Sequence, residues 1–278
     1  MEKNPQSRIQ GILRKEDPSQ FAYAPNYWQW FAHHKNHNLL PPEIRHIKSQ
    51  LELIKHLGLD VFSRNTYSPQ DEHWYGGLCD EQLVGGEISS HKSMKGRDRV
   101  TTRHYHLKSG TLKEELHYVF DESTVVQKKF LIDDYSTQKK LLKELVQARS
   151  WTFKPEKYLA AQEDAGPDGE VMAGEFFSPL KMLHYVMGPI QSVYFLMENP
   201  EFAKEILAFH EEAQLDLVRQ AMSQGARVIM SMDNLDTMFH PPQYVEDYSA
   251  SFYEKASSIC HENDGLFFIH ACGNQREN

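Results

Sequence analysis

The apolar positions of this chain follow two rhythms that alternate along its length. Ile9, Ile12 and Leu13 fall on one side of a short helix predicted over 7–15. "FAYAP" (21–25) reads as a short strand. In "PPEIRHIKSQLELIKHLG", Ile44, Ile47, Leu51, Ile54 and Leu57 recur at helical intervals, with Pro41 and Pro42 at the start and Gly58 at the stop. "LDVFS" follows as a buried strand. From Glu87 to Phe120 the pattern turns polar and rich in Thr, His and Tyr. Turn residues stand at Lys108, Ser109 and Gly110, which predicts a β-hairpin as an excursion from the main architecture. Helix returns over 136–150.

The second half repeats one unit. "EVMAGEFF" (170–177) is a strand and "SPLKMLHYVMG" a helix. "NPEFAKEILAFHEEAQLDLVRQAMSQG" is a long helix with Asn199 at the N-cap, Pro200 at the first helical position and Gly225 at the stop. "ARVIMSM" is a strand. "PPQYVEDYSASFYEKASSICHENDG" is a helix carrying Tyr244, Tyr248, Phe252, Ala256 and Ile259 along one side, and "LFFI" is the next strand. Strands that alternate with long helices make parallel βα units. A (β/α)8 barrel and a doubly wound open sheet both fit. No G-x-G-x-x-G follows any strand, which weakens the open dinucleotide-binding sheet, so an α/β barrel is expected, as one domain over 1–278.

Parallel α/β proteins gather function at the carboxyl ends of their strands. "LFFI" runs into His270 and Cys272. Residues two apart in extended chain point to the same side, so an imidazole and a thiolate are offered to one point. Gly273 then lets the backbone turn away. Nitrogen plus sulfur suits zinc, and a buried cysteine beside a hydrogen-bonded histidine is the plainer alternative. Asp233 and Asn234 end "RVIMSM". Asp233 is either an acid/base group or the cap of the helix that starts near Pro241. Glu175, set among apolar neighbours, is either a perturbed catalytic carboxylate or one half of an ion pair. Asn274 shapes the loop after Cys272, and Asn26 follows the first predicted strand; with Asn234 these are the candidates for substrate binding. His33 and His37 are spaced i, i+4 on a predicted helix, a geometry that can hold a metal, and an aromatic-rich surface segment is the alternative. His104 and His106 share one face of the polar hairpin, where a solvated face is expected.

Composition narrows the function classes. A net charge of −9 over 278 residues, with Lys and Arg scattered, does not favour a nucleic-acid or anionic-membrane surface. Three cysteines, Cys79, Cys260 and Cys272, are too few and too far apart for a disulfide framework. No apolar run approaches the length of a spanning helix, and no signal core opens the chain. A cytoplasmic protein with reduced thiols is expected.

"MDNLDTMFHPPQYVEDY" and "GLFFIHACGN" resemble the C-terminal half of the uroporphyrinogen decarboxylase superfamily, "SRIQGILRKEDPSQFAYAP" resembles its lead-in, and "MGPIQSVYFLMENPEFAKEIL" its middle helices. The resemblance implies a single (β/α)8 barrel with its site at the strand carboxyl ends. True decarboxylases of the family grip tetrapyrrole carboxylates with an arginine-bearing segment after the first strand. Here that segment reads "PNYWQWFAHHKNH" and has no arginine, which argues against porphyrinogen decarboxylation. The other branch, the corrinoid-dependent methyltransferases, binds zinc through His-x-Cys and a later Cys. His270 and Cys272 match its first two positions. The resemblance then implies zinc that activates a thiol toward a methyl group, with a corrinoid carrier protein as partner. Family members continue for about two more βα units, roughly 60 residues, so the chain is expected to be a fragment lacking the third ligand. A metal-independent decarboxylase and a non-catalytic binding barrel are the rival expectations.

Overall fold

The computed structural model describes residues 8–17, 19–63 and 77–276. The chain opens with α1 (Arg8–Leu13) and α2 (Trp28–Asn36), then a 3-10 turn at Pro42–Ile44 and α3 (Gln50–His56). The expected helix from Pro41 to Gly58 is therefore confined to its second half. Ser49 is the reason: its side chain accepts the Glu52 amide at 3.1 Å and starts the helix there. The stretch 21–25 forms no strand. Phe21 and Tyr23 are exposed, and Tyr23 is held to Asp60 by its amide and carbonyl, so these apolar residues do not enter the sheet.

β1 (Phe62–Ser63) is followed by β2 (Cys79–Leu83), then β3 (Glu87–Lys95), β4 (Asp98–Leu107), β5 (Gly110–Val119) and β6 (Thr124–Lys129). β3 to β6 pair in order as an antiparallel meander. The excursion is thus a four-stranded sheet over 87–129, not the hairpin expected over 87–120. After α4 (Tyr135–Ala148), β7 (Arg149–Phe153) returns to pair antiparallel with β2, closing the excursion at its base. Asp134 caps α4 by accepting the Ser136 amide at 2.9 Å.

α5 (Pro155–Ala165) leads into β8 (Glu170–Val171) and β9 (Ala173–Phe176). These are one expected strand broken at Met172, and each half takes a different neighbour. β8 pairs parallel with β1. β9 pairs parallel with β10 (Val228–Ser231), which pairs parallel with β11 (Leu266–Ile269). Between them lie α6 (Pro179–Met187), α7 (Pro189–Glu198), α8 (Pro200–Ser223), α9 (Pro242–Tyr248) and α10 (Ala250–Glu262). Pro200 opens α8 as expected, and Asn199 stands at its N-cap position, although its side chain bonds none of the helix amides. The helix expected over 241–265 is two, because Ser249, at φ −131°, leaves helical space between α9 and α10.

The parallel strands run β1, β8/β9, β10, β11. In a flat sheet, β1 and β11 would stand about 14 Å apart, three strand spacings. Instead the rings of Phe62 and Phe268 meet at 5.9 Å, so the two parallel pieces, β1–β8 and β9–β10–β11, bend toward each other with these two rings between them. The other side carries the helices: Leu215, Val218, Phe252, Ala256 and Cys260 pack on Val171, Phe176 and Ile229 in one core. Burial pushes the Cys260 thiol up to about 12, as befits a core residue and not a ligand. A second core joins the meander to α4 and α6–α8 through Tyr105, Leu112, Leu142, Leu183, Phe195 and Ile206. The described residues thus form a mixed α/β structure with a curved parallel run and an antiparallel excursion packed against its helices. Among the described residues, no helix is long and apolar enough to cross a membrane.

Candidate functional site at the strand carboxyl ends

Three chain segments leave the parallel strands at the same end, and backbone bonds weld them. Met232 donates to the Phe176 carbonyl at 2.9 Å, His270 to the Ser231 carbonyl at 2.8 Å, and Asn234 to the His270 carbonyl at 2.8 Å. Asn234 adopts φ 51°, the left-handed conformation an asparagine tolerates better than most residues. Asp236 then ties the two outer loops together. Its Oδ1 accepts the Met238 amide and its Oδ2 the Asn274 amide, each at 2.9 Å, while the Asn274 carbonyl accepts the Thr237 amide at 2.9 Å. These bonds hold the Asp236 carboxyl below the usual range, the Asn274 amide contributing most. Gly273 makes the approach possible. It sits at φ 114°, and a Cβ there would lie 2.6 Å from Asp236 Oδ2. The turn expected of this glycine is there, and its reason is the neighbouring aspartate.

His270 is half-buried at the end of β11, and Cys272 is exposed beyond it. Among the described residues, no group of three or more His, Cys, Asp or Glu is placed to share a metal ion. Asp233 is fully buried and does not face outward. Its Oδ1 accepts the Ser178 amide at 3.0 Å, and its Oδ2 accepts the Ser231 hydroxyl at 2.5 Å. Burial raises its pKa, against these hydrogen bonds. Ser178 is the N-cap of α6, so Asp233 anchors the start of that helix; the expected cap lay near Pro241. Tyr253 of α10 stands beside Asp233, and burial followed by the aspartate's charge raises its phenol. Asn274 acts through its backbone as a loop clamp. Asn26 is exposed and accepts the Trp28 amide at 3.0 Å at the start of α2. Glu175 lies within β9, but its side chain falls outside the described part of the structure.

Three basic side chains that the sequence pattern did not single out stand at this end. Lys181 and His184 are three apart on α6, hence on one face, and His240 comes from the loop after β10. The rings of His184 and His240 are 4.4 Å apart, with Phe239 edge-on to His184 at 6.3 Å. All three are buried. His184 is pushed down to about 2 by burial, then by His240 and Lys181. His240 is pushed down to about 4 by burial and then Lys181, with Asp236 pulling the other way. Burial lowers the Lys181 ammonium, while the charges of Asp233 and Cys272 reach it and raise it. A signal for Lys181 and His184 existed: polar residues three apart in the otherwise apolar "PLKMLHYVM", directly after a strand end.

Residues 160–277 match the family model for uroporphyrinogen decarboxylase (URO-D). This part of the chain is uroporphyrinogen-decarboxylase-like. It contains β8 to β11 and every basic and thiol group just described. No curated protein matches the chain in sequence. Among solved structures, a methyltransferase from Methanosarcina mazei is 15% identical, over 54% of this chain and 44% of that one, with a TM-score of 0.38. The chain thus spans less than half the length of that protein, and so slight a likeness carries no weight for fold or activity.

Proposed function

We propose that this chain is an enzyme of the uroporphyrinogen decarboxylase type, that its parallel run belongs to a (β/α)8 barrel, and that it serves methyl transfer. In this reading His270 and Cys272 are two ligands of a zinc ion, and a corrinoid carrier protein docks over the strand ends. The observation that carries it is the His-x-Cys pair at the carboxyl end of β11, inside the URO-D-like part. The curvature that brings Phe62 against Phe268 supports the barrel. The described residues do not by themselves make a zinc site. Two donors are too few, and Asp233 cannot serve as the third because its carboxylate is committed to Ser178 and Ser231. What the chain's own residues do is fix the two outer loops through Asp236 and seat α6 through Asp233.

The test is zinc titration of the chain and of Cys272→Ala at two pH values. Binding is expected to be weak in the parent, stronger at the higher pH because thiol and imidazole must be deprotonated, and weaker still in the variant. Equal affinity with and without the thiol would remove the methyltransferase reading. A second reading, metal-independent decarboxylation, is favoured by Lys181, His184 and His240 at the same end of the sheet. Turnover of a carboxylated substrate by metal-stripped protein would select it.

A further inference from the structure

We propose that Lys181, His184 and His240 form a subsite for the carboxylate of the substrate. The inference rests on the reading that the strand carboxyl ends are the active face, and on neither the zinc nor the methyl-transfer reading.

Basic groups seldom gather away from water without an acid between them, because a buried charge must be paired to be tolerated. Here Lys181 is 7% exposed, His184 8% and His240 1%. Among the described residues the Lys181 ammonium has no hydrogen-bond or ion-pair partner and lies over the Tyr185 ring at 5.1 Å. His184 Nε2 is buried and likewise has no hydrogen-bond partner among them. Two polar side chains more than nine-tenths buried are thus left with unused donors on one face of α6. The charges lower one another's proton affinity: Lys181 acts on both histidines, and His240 on His184.

The acids nearby are occupied. Asp233 spends its oxygens on the Ser178 amide and the Ser231 hydroxyl, and Asp236 spends its own on the Met238 and Asn274 amides. The charge of Asp233 reaches Lys181 and that of Asp236 reaches His240, whose amide donates to the Asp236 carbonyl at 2.7 Å. What Lys181 and His184 lack among the described residues is an acceptor with two oxygens, one for the ammonium and one for the imidazole N–H. The positive end of the nine-residue α6, whose first turn includes Lys181, adds to the attraction. One cation beside two neutral imidazoles matches a single negative charge. Phe239 and Tyr185 flank the histidines and the lysine, so the body attached to that charge is apolar or aromatic. A carboxylic acid fits both conditions better than a phosphate dianion.

Benzoate, its neutral counterpart benzamide, and inorganic phosphate serve as probes in a calorimetric and NMR titration of the metal-free chain. Benzoate is expected to bind, to shift the ring signals of His184 and His240, and to bind at least about tenfold more tightly than benzamide, as a charge-assisted bond requires. Lys181→Met is expected to weaken benzoate about tenfold or more and to leave benzamide unchanged. Lys181→Arg is expected to retain most of the affinity. His184→Gln supplies the same comparison if Lys181→Met does not fold. Equal binding of benzoate and benzamide, no detectable benzoate binding, unmoved histidine signals, or unchanged affinity in both Lys181→Met and His184→Gln would overturn the subsite. Tighter binding of phosphate than of benzoate would overturn its assignment to a carboxylate. Neither metal nor methyl donor is present, so failure here is separate from failure of the zinc titration.

Discussion

A carboxylate as deeply buried as Asp233 contributes to stability in a direction opposite to most aspartates. Its folded pKa is raised above the ordinary 3.8 by burial. The folded chain therefore holds a proton there that the unfolded chain has already lost. The contribution is most favourable below pH 3.8 and is lost as pH rises through the folded value. Asp233→Asn keeps an oxygen for the Ser178 amide and offers its NH2 to Ser231, without the charge. Its unfolding free energy at pH 7 is expected to equal or exceed the parent's, and the decline with rising pH in that window is expected to vanish. Asp233→Ala leaves the Ser178 amide and the Ser231 hydroxyl without acceptors, at about 1–3 kcal/mol for each. Urea unfolding at two pH values checks both; an Asn variant as unstable as the Ala variant would mean that the charge itself is required. Asp233 could be picked out of the sequence because it follows an apolar strand. Its direction could not, because the group it caps is 55 residues earlier in the chain.

At the scale of elements, the meander is fastened to the β2–β7 pair by charge. Glu81 of β2 accepts from Arg149 Nε at 2.6 Å, from an Arg103 amino group at 2.7 Å and from the Tyr105 hydroxyl at 3.1 Å. Glu114 of β5 accepts from Arg103 at 3.1 Å, from Tyr105 at 3.0 Å and from Gln127 of β6 at 3.1 Å. Two carboxylates balance two guanidiniums, all nearly sealed from solvent. Glu81→Leu leaves two buried cations with one carboxylate and is expected to cost about 3–5 kcal/mol. Lys143→Ala breaks the exposed pair with Glu205 and is expected to cost less than about 1 kcal/mol. Thermal or urea unfolding of the two variants separates them, and a Glu81→Leu variant as stable as Lys143→Ala would deny the network its role. The strands β8/β9, β10 and β11 were legible because a helix of clear period directly precedes or follows each of them. The meander was not: β6 reads "TVVQKK", too short and too polar to announce a strand, and the network joins residues up to 68 positions apart. The spacing of Lys181 and His184 in an apolar helix was visible, but their meeting with His240 was not, since apolar spacing marks a helix face and says nothing of what that face meets.

At the scale of the whole molecule, three histidines are buried among the described residues, and their titration is expected to shape the response to acid. His210 of α8 is fully enclosed, with its Nε2 3.3 Å from the Phe177 carbonyl and its ring against Trp151 at 5.6 Å. Burial, then the charge of Arg149, pushes it down to about 3. His184 and His240 are pushed down to about 2 and about 4. Each folded value lies below the ordinary 6.5, so the unfolded chain binds protons that the folded chain refuses. Stability is whole above pH 6.5 and is lost as pH falls from there toward the folded values, at up to about 1.4 kcal/mol per pH unit for each histidine. Asp233 and Glu114, both raised by burial, act the other way, because the folded chain takes their protons first. The balance is read directly as the protons taken up on unfolding. Near pH 5.5 the three histidines are expected to contribute about two to three, less whatever the two carboxylates release. Calorimetric unfolding in two buffers of different ionisation enthalpy gives the number, and His210→Gln is expected to lower it by nearly one. An uptake that His210→Gln does not change would mean that this imidazole is charged inside the fold, with Glu81 as its counter-charge across the base of the meander.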